Sequence, residues 1–284
     1  MKKYRILFNP HAGNEHGTKE AKALEERLTA DGEVKSDDIT KIPPYPEYFA
    51  SLAPDETLII CGGDGTVNRF VNDCGELPEN EISFYAAGTG NDFANDLGIK
   101  KGQIVELKRY LKNLPEITVN GMTKKFINGI GYGIDGYCCE EGDRIRAEKP
   151  GEKINYTAIA IKGLLFKHKP ANAEIIIDGV AKHYKNVWLA PTMKGRYFGG
   201  GMMPTPGQDR LDPEGKVSVM VAHDAGKIKT LRMFPSIFTG EHLKWTDIIE
   251  VRTGKEVTVR FDRPTPLQID GETVLGVTEY SVKA

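Results

Sequence analysis

Three glycines surround an aspartate at Gly62-Gly63-Asp64-Gly65-Thr66. Glycine tolerates positive φ and lets the backbone approach a ligand closely, so consecutive amides can converge on an anion. A helix beginning there adds unsatisfied N–H groups and the positive end of its dipole. A phosphate fits such a place. Asp64 would repel it unless a cation lay between, so this carboxylate reads as a handle for Mg²⁺ or as the acceptor of a proton from an attacking group. The bland alternative is a tight turn with Asp64 on its surface. Gly88-Thr89-Gly90-Asn91-Asp92-Phe93 repeats the theme. Its Thr, Asn and Asp are also good helix caps, which is the plainer reading of that turn.

Both turns follow short apolar runs and precede helical patterns. Thr57–Cys61 is an apolar run of the kind buried in parallel sheets, and Ile82–Ala87 is another. Tyr4–Phe8 ends in Asn9-Pro10, a strand followed by a turn, and residues 18–28 are rich in Ala, Leu, Glu and Lys, a helix pattern. Strand, turn and helix in alternation predict an α/β domain with a parallel sheet over about the first 120 residues. In such a sheet the ligand crevice lies at the carboxyl ends of the strands, where all three loops fall. After about Gly121 the rhythm changes to short apolar runs at close intervals, among them Val187–Ala190, Val217–Ala222 and Glu256–Phe261. These predict a mostly antiparallel β domain, interrupted by a helical stretch at about residues 154–168.

Composition bounds the function. The 284 residues carry 38 Lys and Arg against 40 Asp and Glu, a net charge of −2, and 39% are hydrophobic. A near-neutral chain with a sizeable core is a poor dedicated nucleic-acid binder, and disorder is not expected. No run of 18 apolar residues is long enough to span a bilayer, and the first apolar run is too short for a signal peptide. The four cysteines lack C-x-x-C spacing, which argues against a zinc ribbon and suits reduced thiols in a cytoplasmic protein. Gly131-Tyr132-Gly133-Ile134-Asp135-Gly136 matches G-x-G-x-x-G, but it is far from the first strand and is followed by charged residues rather than a buried helix, so a dinucleotide site is not expected there. The G-x-x-x-x-G-K-[ST] loop is absent, and the six histidines lack metal-binding spacing. Residues 144–169 carry seven basic side chains and two acids, a local charge of +5, interleaved with Ile154, Tyr156, Ile159, Ile161, Leu164, Leu165 and Phe166. This stretch reads either as a peripheral contact with an anionic membrane or as a solvated basic face over a core helix.

Asn9-Pro10-x-x-Gly13, the glycine turns at 62–66 and 88–93, Asn128-Gly129-x-Gly131-Tyr132-Gly133-x-Asp135, Gly199-Gly200-Gly201-Met202 and Ile269-Asp270-Gly271-Glu272 occur in the order seen in the diacylglycerol kinase catalytic-domain family. The chain resembles that family, which includes bacterial lipid kinases and is related to sphingosine and ceramide kinases, over nearly its whole length. Gly-Gly-Asp-Gly-Thr is shared with NAD kinases, whereas the turn at 88–93 is more specific to lipid kinases. The resemblance departs at His11 and Ala12, where the family has small polar residues.

The resemblance implies an α/β nucleotide domain, residues 1–122, followed by a larger, mostly antiparallel β-sandwich, residues 123–284, whose last strand is free to return to the first domain. It implies ATP and Mg²⁺ as cofactors. Asn9, Thr40, Gly62, Gly63, Gly65, Thr66, Gly88, Thr89, Asn91 and Asp92 fall where the nucleotide would be held. Asp64 and Asp270 are the candidate catalytic residues, with the choice of base open. Asp64 and Glu272 are the candidate metal ligands, and Asp212 is a candidate for a second, structural Mg²⁺. Asp270-Gly271-Glu272 also reads simply as a hairpin turn. The expected activity is transfer of the ATP γ-phosphate to a lipid alcohol such as diacylglycerol, by an enzyme at the membrane surface. The alternatives are a kinase of a soluble substrate such as NAD, or an inactive nucleotide- or lipid-binding module. No nucleic-acid partner is expected, and an exposed sheet edge in the second domain would allow a homodimer.

Overall fold

The computed structural model describes the chain apart from residues 13–15, 88–90, 150, 152 and 153. It divides into two compact units, Met1–Asn113 and Leu114–Ala284. The first contains β1 (Lys2–Phe8), α1 (Gly17–Thr29), β2 (Gly32–Asp38), α2 (Tyr45–Ala50), β3 (Glu56–Gly62), α3 (Asp64–Asp73), β4 (Ile82–Ala86), α4 (Asp92–Leu97), β5 (Ile104–Glu106) and α5 (Lys108–Leu111). Its sheet has the order β2-β1-β3-β4-β5, parallel except for β5. Ile6, Leu7, Ile59 and Ile60 are buried on the two central strands, as the apolar runs predict for strands covered on both faces. Leu24 and Leu28 of α1 close one side against Ile6, Ile59 and Tyr85.

The second unit contains β6 (Glu116–Val119), β7 (Met122–Lys125), β8 (Gly129–Tyr132), α6 (Ile134–Glu148), α7 (Tyr156–Lys162), β9 (Ala171–Ile177), β10 (Val180–Val187), β11 (Thr192–Met193), β12 (Val217–Ala222), α8 (Lys227–Met233), β13 (Ile249–Gly254), β14 (Glu256–Ile269) and β15 (Glu272–Lys283). The sheet runs β13-β12-β11-β8-β14-β15-β6-β7, with β9 pairing to both β10 and β14, and all of its pairings are antiparallel. The last strand, β15, does not return to the first unit but lies between β14 and β6. Tyr132 stacks on Phe261 with ring centroids 3.8 Å apart, and its hydroxyl donates to the Val277 carbonyl at 2.6 Å, so the core's largest ring leaves no buried donor without an acceptor.

Two helical features differ from the sequence reading. The glycine pattern at 131–136 runs into a 15-residue helix, α6, which begins inside it at Ile134, where the sequence reading expects charged residues rather than a buried helix. Its charged residues from Glu140 onward are exposed or half-buried, while Gly136 lets it lie on β14: a Cβ there would stand 1.9 Å from the Pro266 carbonyl oxygen. The expected helix at 154–168 is α7 followed by a single π-helical turn, Gly163–Lys167. That turn delivers His168 into the interior between Tyr137 and Trp188, with ring centroids 6.1 Å away in each case.

His168 predicts an acid-sensitive fold. Burial, helped by Arg263, pushes its imidazole down to about 4, and Nε2 has no hydrogen-bond partner. The native state therefore holds the ring neutral, while the unfolded chain protonates it near its ordinary value of about 6.5. The unfolded state binds the extra proton between these values, so stability is lost as pH falls from about 6.5 to about 4, by roughly 3 kcal/mol in total. His242, also buried and held below its ordinary value by burial, adds in the same direction. Urea denaturation from pH 7 to 4 is expected to show a shallower loss for His168→Phe than for the wild type. Parallel curves would assign the acid sensitivity elsewhere.

Candidate functional site

The strand order of the first unit gathers the predicted nucleotide residues along one sheet edge. Thr40 follows β2, Asn9 follows β1, Gly62–Thr66 follow β3, and Asn91 and Asp92 follow β4, all at carboxyl ends. Backbone bonds tie neighbouring loops together. Ile39 donates to the Phe8 carbonyl at 2.9 Å, Asn9 to Cys61 at 3.4 Å and Ala87 to Gly62 at 3.0 Å. Gly13, Gly88, Thr89 and Gly90 lie outside the described residues.

The glycines of the first turn are there for different reasons. A Cβ on Gly62 would stand 2.3 Å from the Thr66 hydroxyl, so Gly62 is required by packing. A Cβ on Gly63 or Gly65 would meet nothing within 4 Å, and neither has positive φ. Neither strain nor packing by the described protein atoms explains these two glycines, whereas room for a ligand against the backbone does. Gly63 precedes α3 in extended conformation, and buried Thr66 lies in the first turn of that helix. Gly62→Ala is expected to destabilise the protein by about 1–3 kcal/mol, the usual cost of overpacking, and to weaken ATP binding because the turn must shift. Denaturation and nucleotide titration would check both; unchanged nucleotide affinity would detach this turn from the ligand.

Asp64 does something the sequence does not disclose. Its carboxylate accepts the Asp92 amide at 2.8 Å and the Phe93 amide at 3.2 Å, so it caps α4 from another loop. Asn91 accepts the Ala94 amide at 2.8 Å through Oδ1. The first three donors of α4 are thus spent within the protein, leaving the dipole but not those amides for a phosphate. The Asn91 Nδ2, however, is buried and has no partner. A buried orphan donor at this edge fits an acceptor on a bound nucleotide. Asn9 closes its own turn, with Oδ1 accepting the His11 amide at 3.0 Å. Thr40 is exposed at the outermost strand, with its hydroxyl donating to Asp38 at 2.7 Å.

In the second unit, Asp270 and Gly271 form the two-residue connection between β14 and β15, with φ of 46° and 92°. Positive φ at both positions is the mark of a type I′ hairpin, so the plain reading of Asp-Gly holds. The Asp270 carboxylate also accepts three backbone amides, from Ile127 at 2.6 Å and from Asn128 and Gly129 at 2.9 Å each. These charged hydrogen bonds fix the carboxylate's position against the start of β8. Below it, Gln268 accepts the Gly271 amide at 2.6 Å and donates to Asp135 at 2.8 Å. Asp135 lies in the first turn of α6, and its Oδ1 would be 3.6 Å from a Cβ on Gly199. The Asp270 turn, Gln268, Asp135 and the glycine run at 199–201, where every φ is positive, thus form one connected structure. Neither Gln268 nor Asp135 is among the sequence-predicted site residues; only Asp135's place in the G-x-G-x-x-G run signals it.

Glu272 is exposed and paired with Lys124. Asp212 accepts the Lys216 amide at 2.8 Å and closes a turn. Among the described residues no three His, Cys, Asp or Glu side chains gather as a metal cage. Magnesium bound with a nucleotide needs one or two carboxylates besides phosphates and waters, and Asp64, at the glycine-turn edge, is the carboxylate that suits that arrangement.

A parallel α/β unit with the glycine turn 62–66 at its ligand edge, joined to a large antiparallel unit that carries an Asp-Gly hairpin, is the architecture of a nucleotide-dependent kinase. The chain belongs to the diacylglycerol kinase catalytic-domain family: residues 3–122 match the diacylglycerol kinase catalytic domain, and residues 128–282 match the YegS C-terminal NAD kinase beta sandwich-like domain. It is thus a kinase, a phosphotransferase. It is 24% identical over 306 residues to YtlR of Bacillus subtilis (strain 168), whose name assigns it provisionally to the lipid kinases, covering 99% of this chain and 96% of that one. It is 24% identical to a diacylglycerol kinase of the same organism, covering 96% of this chain and 90% of the other. The crystal structure of a diacylglycerol kinase from Bacillus anthracis str. Sterne has the same fold, with a TM-score of 0.63 at 18% identity, covering 99% of this chain and 93% of that one.

Proposed function

We propose that the protein transfers the γ-phosphate of ATP to the hydroxyl of diacylglycerol or a related lipid alcohol at a membrane surface. The observation that carries the nucleotide half is the open space at Gly63 and Gly65 beside the orphan Asn91 donor. Backbone amides of the glycine turns hold the phosphates, and Asp64 would hold magnesium, which would supply positive charge against the phosphates. Asp270 orients the acceptor hydroxyl and takes its proton. The hydroxyl oxygen bonds to the γ-phosphorus, the bond to the bridging oxygen breaks, and ADP leaves with that electron pair. The loose transition state of phosphoryl transfer asks little of the base, so a carboxylate held by three amides is adequate.

The lipid half is supported by the relatives' names and by a surface of the second unit. Phe166, 74% exposed, lies on the π-helical turn, and Ile228, 68% exposed, on α8. Lys227 joins the two elements by donating to the Leu165 carbonyl at 2.8 Å. Lys167 lies on the π-helical turn, Lys229 and Arg232 lie on α8, and Lys162 ends α7 just before the turn. Exposed apolar side chains among cations suit the headgroup region of an anionic bilayer. No described helix is long and apolar enough to cross a membrane.

Transfer of labelled γ-phosphate tests the reading, using anionic vesicles that carry a panel of lipid alcohols, with NAD in water as the control. Label in the lipid fraction supports it, and label on NAD replaces it with the soluble-substrate reading. A Phe166→Asp/Ile228→Asp variant is expected to bind vesicles about tenfold or more weakly while retaining ATP affinity; unchanged vesicle sedimentation would remove this surface from the proposal.

A further inference from the structure

Lys194 is a lysine in an unusual place. Only 3% of its surface is exposed, yet no carboxylate of a described residue stands within ion-pair distance of it. Lysine is rarely so deeply buried without a partner, because the ammonium loses its hydration and gains nothing in return. The charged group that acts on it most strongly makes matters worse. Arg210 is buried too, and the two cations oppose each other. Asp209 and Asp212 attract Lys194 only from a distance, being turned to backbone amides of their own loop, Leu211 at 2.8 Å and Lys216 at 2.8 Å. Burial and Arg210 together hold the Lys194 ammonium below its ordinary value.

Both residues are anchored to Asn128, Lys194 through its backbone and Arg210 through its guanidinium. The Lys194 and Gly195 amides donate to the Asn128 carbonyl at 2.9 and 3.0 Å. Arg210 donates from Nη2 to the Asn128 Oδ1 at 2.8 Å and from Nη1 to the Ile127 carbonyl. The amides of the same residues, Ile127 and Asn128, hold the Asp270 carboxylate. Two buried basic residues are thus anchored on the backbone segment whose amides hold the candidate base, and the Lys194 ammonium has no carboxylate of a described residue in contact. A doubly charged anion would compensate the Lys194 ammonium, and a guanidinium together with an ammonium is the donor set that phosphate takes.

We propose that Lys194 and Arg210 form a subsite for a phosphate dianion beside Asn128. That this phosphate is the one being transferred, as the terminal group of the nucleotide or the headgroup of the phosphorylated product, rests on the function proposed above; the subsite itself does not.

Calorimetric titration with inorganic phosphate, in phosphate-free chloride buffer without lipid, tests it on the wild type, Lys194→Met and Lys194→Arg. The wild type is expected to bind phosphate, Lys194→Met to bind it about tenfold or more weakly, and Lys194→Arg to retain most of the affinity. Lys194→Met is also expected to be at least as resistant to urea as the wild type without anion, since it removes an uncompensated buried charge. Competition by ADP would identify the nucleotide as the source of the phosphate, and competition by dihexanoyl phosphatidate the lipid product. No phosphate binding by the wild type, equal affinity in Lys194→Met, or a Lys194→Met chain clearly less stable than the wild type would each overturn the proposal. A phosphate held by the glycine turns instead would persist unchanged in Lys194→Met. Because the readout needs no lipid transfer, its failure is distinct from failure of the kinase reading.

Discussion

Replacing Asp270 with Ala is expected to cost about 3 kcal/mol or more of stability and to lower phosphotransfer by about 10²–10⁴-fold. The stability loss follows from geometry. Three amides, of Ile127, Asn128 and Gly129, would lose a charged acceptor together, in a partly buried place where each orphan donor costs about 1–3 kcal/mol. Asp270→Asn separates the two roles. Asparagine accepts the left-handed backbone, with φ of 46°, and keeps one carbonyl oxygen for the amides. It cannot receive the proton of a hydroxyl. Urea denaturation should therefore place Asn between the wild type and Ala, while initial rates, measured where each variant is folded, should fall as far in Asn as in Ala. A near-normal rate for the folded Asn variant would make Asp270 a structural residue and return the task of base to Asp64.

Asp64→Ala has the second largest expected effect. It removes the charged cap of α4, at about 1.5–3 kcal/mol, the usual worth of hydrogen bonds to an ionised group. It also removes the carboxylate proposed to meet the magnesium of the nucleotide, and transfer should drop by about 10²-fold or more. Asp64→Asn preserves an acceptor for one amide and should recover part of the stability. Its half-saturating Mg²⁺ concentration should remain well above that of the wild type. If Asp64→Asn shows a normal Mg²⁺ dependence and loses only stability, the residue is a cap and the metal is held elsewhere.

The features written in consecutive residues were legible in the sequence. Apolar runs ending in glycine turns locate β3 and β4, and the loops after them fall at the ligand edge because a parallel sheet presents all its carboxyl ends together. What escaped depends on partners far along the chain. The capping of α4 by Asp64 spans 28 residues, and the Gln268–Asp135 contact spans 133. The strand β2 is hard to see for another reason. Gly32-Glu33-Val34-Lys35-Ser36-Asp37-Asp38 has four charged residues because it is the sheet's outer strand, where charge protects an open edge. In α6 the charged residues of the later turns masked a helix whose decisive residue, Gly136, is small for the sake of the strand beneath it. Lys194 was invisible as a candidate because lysine alone carries no pattern; only its burial sets it apart.

The pairing pattern of the second unit also bears on how the protein is made. β8 waits for β14, about 137 residues later, and β6 pairs with β15 through Ile117↔Val282. Neither partner exists for most of synthesis, whereas every strand pair of the first unit is complete once Glu106 has emerged. The nucleotide half can therefore fold while its neighbour is still being translated, and the second half stays without its central strands until the chain is nearly finished. Stalling the ribosome just before Glu256 would leave a folded α/β unit carrying an open antiparallel edge, the species on which chaperone dependence should concentrate.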